Sequence, residues 1–313
     1  MPREFRPALT RLLWLGVAGF GGATLFAQLG RVHWFFDLFT HFPLQMTAGL
    51  TVLLLAAFCL RRWRAVLLTA VFLGPNLLAL SYYFPTRSFP DGPADLRVVC
   101  FNVLTSNSTP EPVRDYLTTS EADVIFLMET NRNWLAVLAP LEKTHPHVLK
   151  APRDDNFGMA LYSRYPIESH RFLRFEGSGV PGLQAIITID GKSIEVVCGH
   201  PIPPIGAFRA ASRNAYLEAL AELAAASDLP TIVLGDFNAT IWSPFFRDFL
   251  EATTLEDTGR KGGFQATWRR GHPLFSIPID HILHSDELSC VGRQIGPALG
   301  SDHRAVMADF AFE

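Results

Sequence analysis

The chain has 313 residues, of which 49% are hydrophobic and 18% are charged, and its formal net charge is −3. The segment through Phe84 holds seven basic and two acidic residues, which leaves 20 basic against 28 acidic residues after it, a net charge of −8. This acidic balance argues against a strongly basic nucleic-acid-binding domain. The four cysteines form no CxxC pair, so a zinc-ribbon or thioredoxin-like motif has no support.

Three uncharged apolar runs precede Pro85. They cover residues 12–29, 44–60 and 65–84, and each is close to the roughly 20 residues that a helix needs to cross a bilayer. Pro75 lies inside the third run, where its missing backbone donor predicts a kink. We therefore predict a membrane module at residues 1–84 with three transmembrane helices.

The arginines of this module predict its orientation. They cluster before the first run and between the second and third runs, as Arg3, Arg6, Arg11, Arg61, Arg62 and Arg64. Positive residues favour the cytoplasmic side, so the loop 31–42 and everything after Phe84 are expected outside. This predicts a multi-pass protein of the bacterial cytoplasmic membrane with its main domain on the periplasmic or extracellular side. A cleaved signal peptide is the alternative for the first run and leaves that location unchanged.

Residues 85–94, PTRSFPDGPA, predict a linker because they are rich in proline and glycine. A domain of alternating strands and helices follows at residues 95–313. Short apolar runs typical of buried strands occur at 96–101, 124–128, 159–162, 185–189, 194–198 and 231–234. Helical patterns occur at 112–119, 133–140, 208–226 and 244–252. In the third of these helices, the apolar stripe of Leu217, Leu220, Leu223 and Ala224 predicts core packing.

Four of the predicted strands end in polar residues, namely Asn102, Glu129, His200 and Asp236. Open α/β architectures place their chemistry at the carboxyl ends of strands, so we expect a site at one rim of a sheet. Cys100 and Cys198 lie within two of these strands. We expect both to be buried free thiols and leave open whether they contact each other.

Six short motifs follow one another along this domain: FN at 101–102, ME at 128–129, GH at 199–200, GDFN at 235–238, IDH at 279–281 and GSDH at 300–303. In this order and spacing they resemble the endonuclease/exonuclease/phosphatase (DNase I-like) superfamily over residues 96–312. WSP at 242–244 and ATW at 266–268 look closest to its bacterial membrane-anchored members. The resemblance implies an α/β fold, a four-layer sandwich of two packed mixed β-sheets flanked by helices, with the site at one end.

The resemblance also implies a divalent-metal-dependent phosphoesterase. Its cofactor would be Mg²⁺, with Mn²⁺ able to substitute. Glu129 would be the principal metal carboxylate, with Asn102 and Asp302 completing a sparse shell. Sparse protein ligation suits Mg²⁺, which keeps several waters and shares substrate phosphate oxygens.

The catalytic roles that the resemblance implies fall on five further residues. His303, paired with Asp280, would serve as a general base or as a cation on the phosphate. His200 would donate to the scissile phosphate or to the leaving group. Asp236 would orient or deprotonate the attacking water, and Asn238 would hold a phosphate oxygen. The division of labour between Asp236 and the Asp280–His303 pair stays open.

For three further residues near these motifs, a structural role explains the sequence at least as well as a role in the site. His281 is as well explained by core packing as by a role in the site. Arg209 and Arg213 lie four positions apart on the helix after His200, and we expect a solvated or supporting role for them rather than contact with substrate phosphate.

Three substrate classes compete: nucleic acid, a lipid headgroup and a soluble phosphate ester. Nucleic acid requires arginines that cluster at the cleft, for which the candidates are Arg153, Arg164, Arg171, Arg174, Arg269 and Arg270. The membrane module favours a lipid, since it holds the site near the bilayer, although no apolar hairpin of the kind that inserts into lipid is recognisable. No protein partner is implied. The alternative from another class is a catalytically silent, membrane-anchored scaffold or binding protein that retains the fold.

Overall fold

A computed structural model describes residues 6–83, 88–175, 178–269 and 271–313. Phe84 at the end of the third apolar run, residues 85–87 of the predicted linker, Arg3 and Arg270 lie outside the described residues.

The N-terminal part of the chain is helical. Its helices are α1 (Arg6–Gln28), α2 (Trp34–Thr40), α3 (Pro43–Cys59) and α4 (Trp63–Leu80), and α4 runs into a 3₁₀ turn at Ser81–Tyr83. By length and composition, α1 and the last helix with its turn could each cross a membrane. Helix α3 is a third candidate span only if it is counted together with α2, as one span bent by 69°. The prediction of three spans therefore becomes two candidate spans and one bent candidate among the described residues.

Two local features of the N-terminal helices were not predicted, a short helix and a polar bond between helices. The predicted external loop 31–42 contains α2, whose first turn is capped by His33, since its Nδ1 accepts a hydrogen bond from the backbone of Phe35 at 3.3 Å. Next to Pro75 in α4, the buried side chain of Asn76 donates to Oγ1 of Thr24 in α1 at 2.9 Å. Such a polar bond between apolar helices joins α4 to α1.

The rest of the chain is an α/β domain of twelve strands and five helices among its described residues. The strands are β1 (Leu96–Asn102), β2 (Val124–Met128), β3 (His147–Ala151), β4 (Met159–Ser163), β5 (Ile167–Arg174), β6 (Pro181–Ile189), β7 (Lys192–Gly199), β8 (Thr231–Asp236), β9 (Glu256–Asp257), β10 (Asp280–His284), β11 (Leu288–Ile295) and β12 (Val306–Phe312). The helices are α5 (Glu111–Thr119), α6 (Arg132–Leu138), α7 (Ala207–Ala225), α8 (Pro244–Thr253) and α9 (Gly259–Gly262). Two 3₁₀ turns cover Ala139–Lys143 and Pro273–Phe275.

The strands form two six-stranded mixed sheets. The first has the order β11-β12-β1-β2-β4-β3 and the second β5-β6-β7-β8-β10-β9. Only β1–β2 and β7–β8 pair in parallel among the described strands. One apolar cluster lies between the sheets, and separate clusters lie beneath α5 and α6 on one side and beneath α7 and α8 on the other. This confirms the expected α/β sandwich of two mixed sheets flanked by helices.

All six predicted strands and all four predicted helices of this domain exist, with ends shifted by up to four residues. The strands β3, β5, β9, β10, β11 and β12 were not predicted. Strand β5 shows why, because it is an edge strand with mostly exposed residues and carries no apolar pattern. The stripe on α7 packs as predicted, with Leu217, Leu220 and Ala224 buried. Cys100 and Cys198 are buried free thiols.

Gly235 in the GDFN motif is required by a close approach between strands. A Cβ atom at this position would lie 1.8 Å from the carbonyl oxygen of Gly199 on β7. The parallel pairing of β7 with β8 therefore depends on glycine immediately before Asp236.

The helical N-terminal part packs directly against the α/β domain. The indole Nε1 of Trp242 donates to the carbonyl of Ala79 at 2.8 Å, and the rings of Tyr83 and Trp242 meet edge to face at 5.5 Å between centroids. An exposed ion pair joins Arg31, between α1 and α2, to Asp248 on α8. These contacts hold the two parts of the chain together at the end of the sandwich that α8 occupies.

Candidate active site

The two parallel strand pairs deliver polar residues to one end of the sandwich. Asn102 ends β1, and Glu129 follows β2 directly, while His200 follows β7 and Asp236 ends β8. Because β1 pairs in parallel with β2 and β7 with β8, each pair brings its two polar residues to the same edge. The expected site at one rim of the sheets is therefore present as a cluster of side chains.

Asn102 lies at the centre of this cluster. Its Nδ2 donates to Oε1 of Glu129 at 3.1 Å and to Oδ2 of Asp236 at 3.2 Å, so the amide joins residues of both sheets. The other oxygen of Glu129 accepts from the backbone N–H of Thr105 at 3.0 Å. The backbone of Glu129 is left-handed, with φ of 63°. A non-glycine residue adopts this conformation only where its surroundings impose it.

His303 links two carboxylates across the second sheet. Asp280 begins β10 and lies opposite Asp236 in the antiparallel register with β8. The Nδ1 of His303 lies 2.9 Å from Oδ2 of Asp280, and its Nε2 lies 3.6 Å from Oδ2 of Asp236. One potential ligand atom from each of these three buried residues lies within 4.8 Å of the others.

The pKa of Asp236 and the pKa of His303 are both raised in this site. Burial raises the pKa of Asp236 to about 7, against the opposing effect of the His303 charge. Burial alone would lower the pKa of His303, but the charges of Asp280 and Asp236 and the hydrogen bond to Asp280 outweigh it and raise the pKa to about 10. At neutral pH His303 is therefore a cation beside a carboxyl group that titrates near neutrality.

His200 is also buried, but its pKa is shifted in the opposite direction to that of His303. Burial and the nearby charge of His303 lower its pKa to about 3, so its imidazole is neutral at neutral pH. Its Nε2 lies 3.5 Å from Oδ2 of Asp236, and its Nδ1 has no hydrogen-bond partner among the described residues. The backbone N–H of His200 donates to the hydroxyl of Tyr216 at 3.2 Å. One buried ring nitrogen of His200 therefore has no partner among the described residues.

Two of the predicted residues have other contacts in this structure. The Nδ2 of Asn238 donates to the carbonyl of Pro201 at 3.0 Å, and its backbone N–H donates to Oδ1 of Asp236 at 2.9 Å. The carboxylate of Asp302 accepts from the indole of Trp268 at 3.0 Å and is not a member of the compact Asp236–Asp280–His303 group. The metal role of Asp302 and the phosphate role of Asn238 stay predictions.

The donor set fits a hard divalent cation. Three buried carboxylates, those of Glu129, Asp236 and Asp280, share this site with one cationic side chain, His303. Burying this excess of negative charge is unfavourable unless a proton or a cation compensates it. Carboxylate and amide oxygens are the ligands that Mg²⁺ takes in proteins. Glu129 and Asp236, whose carboxylates both contact the amide nitrogen of Asn102, are the residues that could hold it.

Sequence reasoning assigned Arg213 a solvated or supporting position, and the solvated alternative is wrong. Its side chain is fully buried, and its Nη1 donates to the backbone carbonyl of Asn238 at 3.1 Å. Arg209 is exposed. His281 packs in the core, where its ring stacks on Phe237 and its Nε2 bonds the carbonyl of Ala239.

A hairpin that the sequence did not reveal extends from the site. Trp268 pairs with both His303 and Ile277, which closes a hairpin whose described residues are 268, 269 and 271–277, with the 3₁₀ turn at its tip. Leu274 and Phe275 at this tip are 74% and 52% exposed. Together with α1, α2 and α3 they line an apolar groove of about 630 Å³. The sequence pattern did not indicate this hairpin, and whether it inserts into lipid stays a prediction.

Known proteins are similar to this chain in family and in fold. Residues 99–303 match the Endonuclease/Exonuclease/phosphatase family. No curated protein sequence matches the chain. Solved structures share the fold at low identity. An endonuclease/exonuclease/phosphatase from Beutenbergia cavernae is 17% identical with a TM-score of 0.58, over 69% of this chain and 71% of that one. The human Nocturnin catalytic domain with bound sulfate is 18% identical with a TM-score of 0.56, over 72% and 98%. Danio rerio TDP2 in complex with a single-strand DNA product is 15% identical with a TM-score of 0.57, over 69% and 98%.

Proposed function

We propose that this chain, which belongs to the endonuclease/exonuclease/phosphatase family, is a membrane-anchored, Mg²⁺-dependent hydrolase of phosphodiester bonds. The observation that carries this proposal is the buried cluster of Asn102, Glu129, Asp236, Asp280 and His303, in which acidic oxygens, a cationic histidine and a carboxyl group with a pKa of about 7 meet. A bound Mg²⁺ would supply positive charge to the phosphate oxygens. A catalytically silent scaffold would have no need of this arrangement.

The chain's own residues divide the proton transfers between them. Asp236 would orient the water that attacks phosphorus or accept its proton, and its pKa of about 7 belongs to the metal-free site. His303 is held by Asp280 and carries the positive charge that stabilises the pentacovalent phosphate and can protonate the departing oxygen. His200 is neutral and offers its free ring nitrogen to the same phosphate. Water adds to phosphorus, the P–O ester bond breaks, and the alcohol leaves with a proton from His303.

Among the substrate classes, a phosphodiester with a lipid tail is best supported. Trp268 bridges both His303 and Ile277, and the exposed residues Leu274 and Phe275 belong to the same hairpin. The hairpin therefore connects the site to the apolar groove that Leu274 and Phe275 line. A phosphate at His303 and a tail in the groove beside Leu274 and Phe275 are therefore compatible with one amphiphilic molecule.

Nucleic acid is less well supported by the arginines that the sequence offered for it. Arg153 is paired with Asp155, Arg164 with Asp123, and the guanidinium of Arg171 donates to Gln184. The acids beside Arg153 and Arg164 reduce the attraction of these two arginines for a polyanion, whereas Arg171 donates to a neutral amide and Arg174 is exposed.

The test of activity uses the full-length protein in detergent. Hydrolysis of bis-p-nitrophenyl phosphate is measured with Mg²⁺, with Mn²⁺ and with EDTA, for the wild type, for Glu129→Gln and for Glu222→Gln. Glu222 is exposed on α7 and serves as the matched control. We expect metal-dependent turnover that Glu129→Gln reduces about a hundredfold or more and Glu222→Gln leaves unchanged. Absence of turnover from folded wild-type protein on this substrate and on phospholipid and plasmid DNA would favour the scaffold alternative.

The location of the domain outside the cytoplasm is part of the proposal and has its own test. In a Cys59→Ser background the remaining cysteines are buried, so single cysteines can be introduced by Asp91→Cys and by Arg64→Cys. A membrane-impermeant maleimide added to intact spheroplasts is expected to label the first variant and not the second. The reverse pattern would place the domain in the cytoplasm.

A further inference from the structure

The segment that follows Asp236 is held largely by residues from outside its own strand and helix. We define the site loop as residues 237–243, between β8 and α8. Its second residue, Asn238, binds Asp236 through the backbone hydrogen bond to Oδ1 and has a left-handed backbone with φ of 49°. A residue in this conformation keeps its position only when neighbouring groups hold it there. What holds the site loop therefore bears on the position of Asp236.

A buried arginine and a buried aspartate hold Asn238. Arg213 on α7 donates from Nη1 to the Asn238 carbonyl at 3.1 Å and from Nη2 to the carboxylate of Asp37. Arg213 is 0% and Asp37 1% exposed. Asp37 lies on α2, in the segment that joins the candidate membrane helix α1 to α3, and is 176 residues away from Arg213.

The same short segment contacts the site loop at two more positions. The other carboxylate oxygen of Asp37 accepts from Oγ of Ser243 at 2.9 Å. Nδ1 of His41, which directly follows α2, lies 3.0 Å from Oγ1 of Thr240 and accepts from the Thr240 backbone at 3.4 Å. The beginning, middle and end of the site loop are thus all connected to residues 37–41.

The helical N-terminal part does not need the buried Asp37–Arg213 pair to stay attached to the α/β domain. The exposed Arg31–Asp248 bridge and the packing of Trp242 on α4 already join the two parts of the chain. A buried ion pair contributes little net stability, because desolvating both charges offsets most of their attraction. A guanidinium, however, presents several donors in a rigid fork, so Arg213 can bind Asp37 and Asn238 at the same time. This makes the pair better suited to fixing geometry than to adding stability.

We propose that Asp37 and Arg213 are positioning residues of the active site, so that the external helix α2 of the membrane module sets the geometry of Asn238 and, through it, of Asp236. This inference rests on the proposed phosphodiesterase function for its kinetic test. Helix α2 would then help to hold the site in place. A substitution on α2 that breaks the contact with Arg213 is therefore expected to change kcat even when the protein stays folded.

The experiment uses the full-length protein in detergent and three variants. Asp37→Asn removes the charge but keeps the shape, and Arg213→Lys keeps the charge but loses the fork. Asp248→Asn breaks the exposed bridge between the same two parts and is the control. For each variant, kcat and KM for bis-p-nitrophenyl phosphate at saturating Mg²⁺ are measured per folded molecule, well below the melting temperature. Amide hydrogen exchange of residues 237–243 is measured in parallel.

We expect Asp37→Asn and Arg213→Lys to lower kcat about tenfold or more with KM within about twofold, because small displacements of a site group act mainly on the reacting geometry. Both are expected to speed exchange in the site loop, and Asp248→Asn is expected to do neither. If Asp37→Asn fails to fold, Arg213→Lys alone decides, since it retains a charged partner for Asp37. Wild-type kcat and wild-type exchange in a folded Asp37→Asn or Arg213→Lys protein would overturn the proposal, even if its melting temperature falls. If the wild type hydrolyses no phosphodiester, the proposed function fails, whereas the exchange measurement still decides whether α2 holds the site loop.

Discussion

Asp236 and Asp280 lie directly opposite each other on β8 and β10, and both are buried. Two carboxylates at opposed positions repel each other. His303 offsets this repulsion, because its two ring nitrogens face one carboxylate each. The shifted pKa values of Asp236 and His303 are consequences of this arrangement, and most of the expected behaviour of the site follows from it.

Asp280→Asn is expected to lower kcat by about a hundred- to ten-thousandfold, because His303 loses both its orientation and the charge that keeps it protonated. The measurement is the pH dependence of kcat at saturating Mg²⁺. Asp257→Asn is the matched control, since Asp257 faces another buried histidine, His281, at 3.9 Å. If both variants lose the same activity per folded molecule, the effect does not come from the site.

The stability of the metal-free protein is expected to fall between about pH 7.5 and 10. The folded pKa of His303 is about 10, above its ordinary value of 6.5, so in this range the folded protein keeps a proton that the unfolded chain releases. The stabilisation is complete below about pH 6.5 and is lost as the pH rises through about 10, with a slope of at most about 1.4 kcal/mol per pH unit. Urea denaturation in EDTA measures this slope. Asp280→Asn should have a flatter slope, and an equal slope in the two proteins would contradict the assignment.

Asp236→Asn is expected to have opposite effects with and without metal. Without metal at pH 8, it should raise the free energy of unfolding by about 1 kcal/mol or more, because it removes one of two opposed buried charges. Addition of Mg²⁺ should stabilise the wild type by about 2.7 kcal/mol at a hundred times its Kd, and stabilise this variant much less. Thermal melts with and without Mg²⁺ test both statements. Equal metal stabilisation of the two proteins would exclude Asp236 as a ligand.

The double variant Leu274→Ser, Phe275→Ser is expected to separate two kinds of substrate. Both side chains are exposed at the tip of the 268–277 hairpin, so their replacement leaves the core intact. Turnover of phospholipid in mixed micelles should fall about tenfold or more through KM, since apolar contact with the lipid tail is lost. Hydrolysis of bis-p-nitrophenyl phosphate should not change. Phe172→Ser, at an exposed position on β5, is the control. If lipid turnover is unaffected, the tail does not bind at the hairpin.

Gly235→Ala is expected to destabilise the α/β domain by about 3 kcal/mol or more, because the added methyl group would meet the carbonyl of Gly199. Gly92→Ala is the control, since a Cβ at residue 92 would meet no atom within 4 Å. Chemical denaturation measures both. A loss below about 1 kcal/mol in Gly235→Ala would mean that β7 and β8 separate easily.

Much of this architecture could be predicted from local sequence. Strands such as β2 and β8 are continuous apolar runs, because they are buried on both faces, and their polar end residues mark one rim of the sheets. The motifs that end in Asn102, Glu129, His200 and Asp236 therefore predicted a shared site. Strand β5 was missed, since a strand with mostly exposed residues resembles a polar loop in sequence.

The sequence by itself determined the order of the elements, the α/β class, the apolar helices and the residues that meet in the site, because these depend on local apolar patterns and on motifs of few residues. Only the tertiary structure decided that Arg213 is buried against Asp37, and that the hairpin tip at Leu274 lies beside α1 and α3. The partners in these contacts are about 180 to 260 residues apart. A charged or apolar residue has the same local pattern whether it faces water or a distant segment, so its partner becomes known only when the chain has folded.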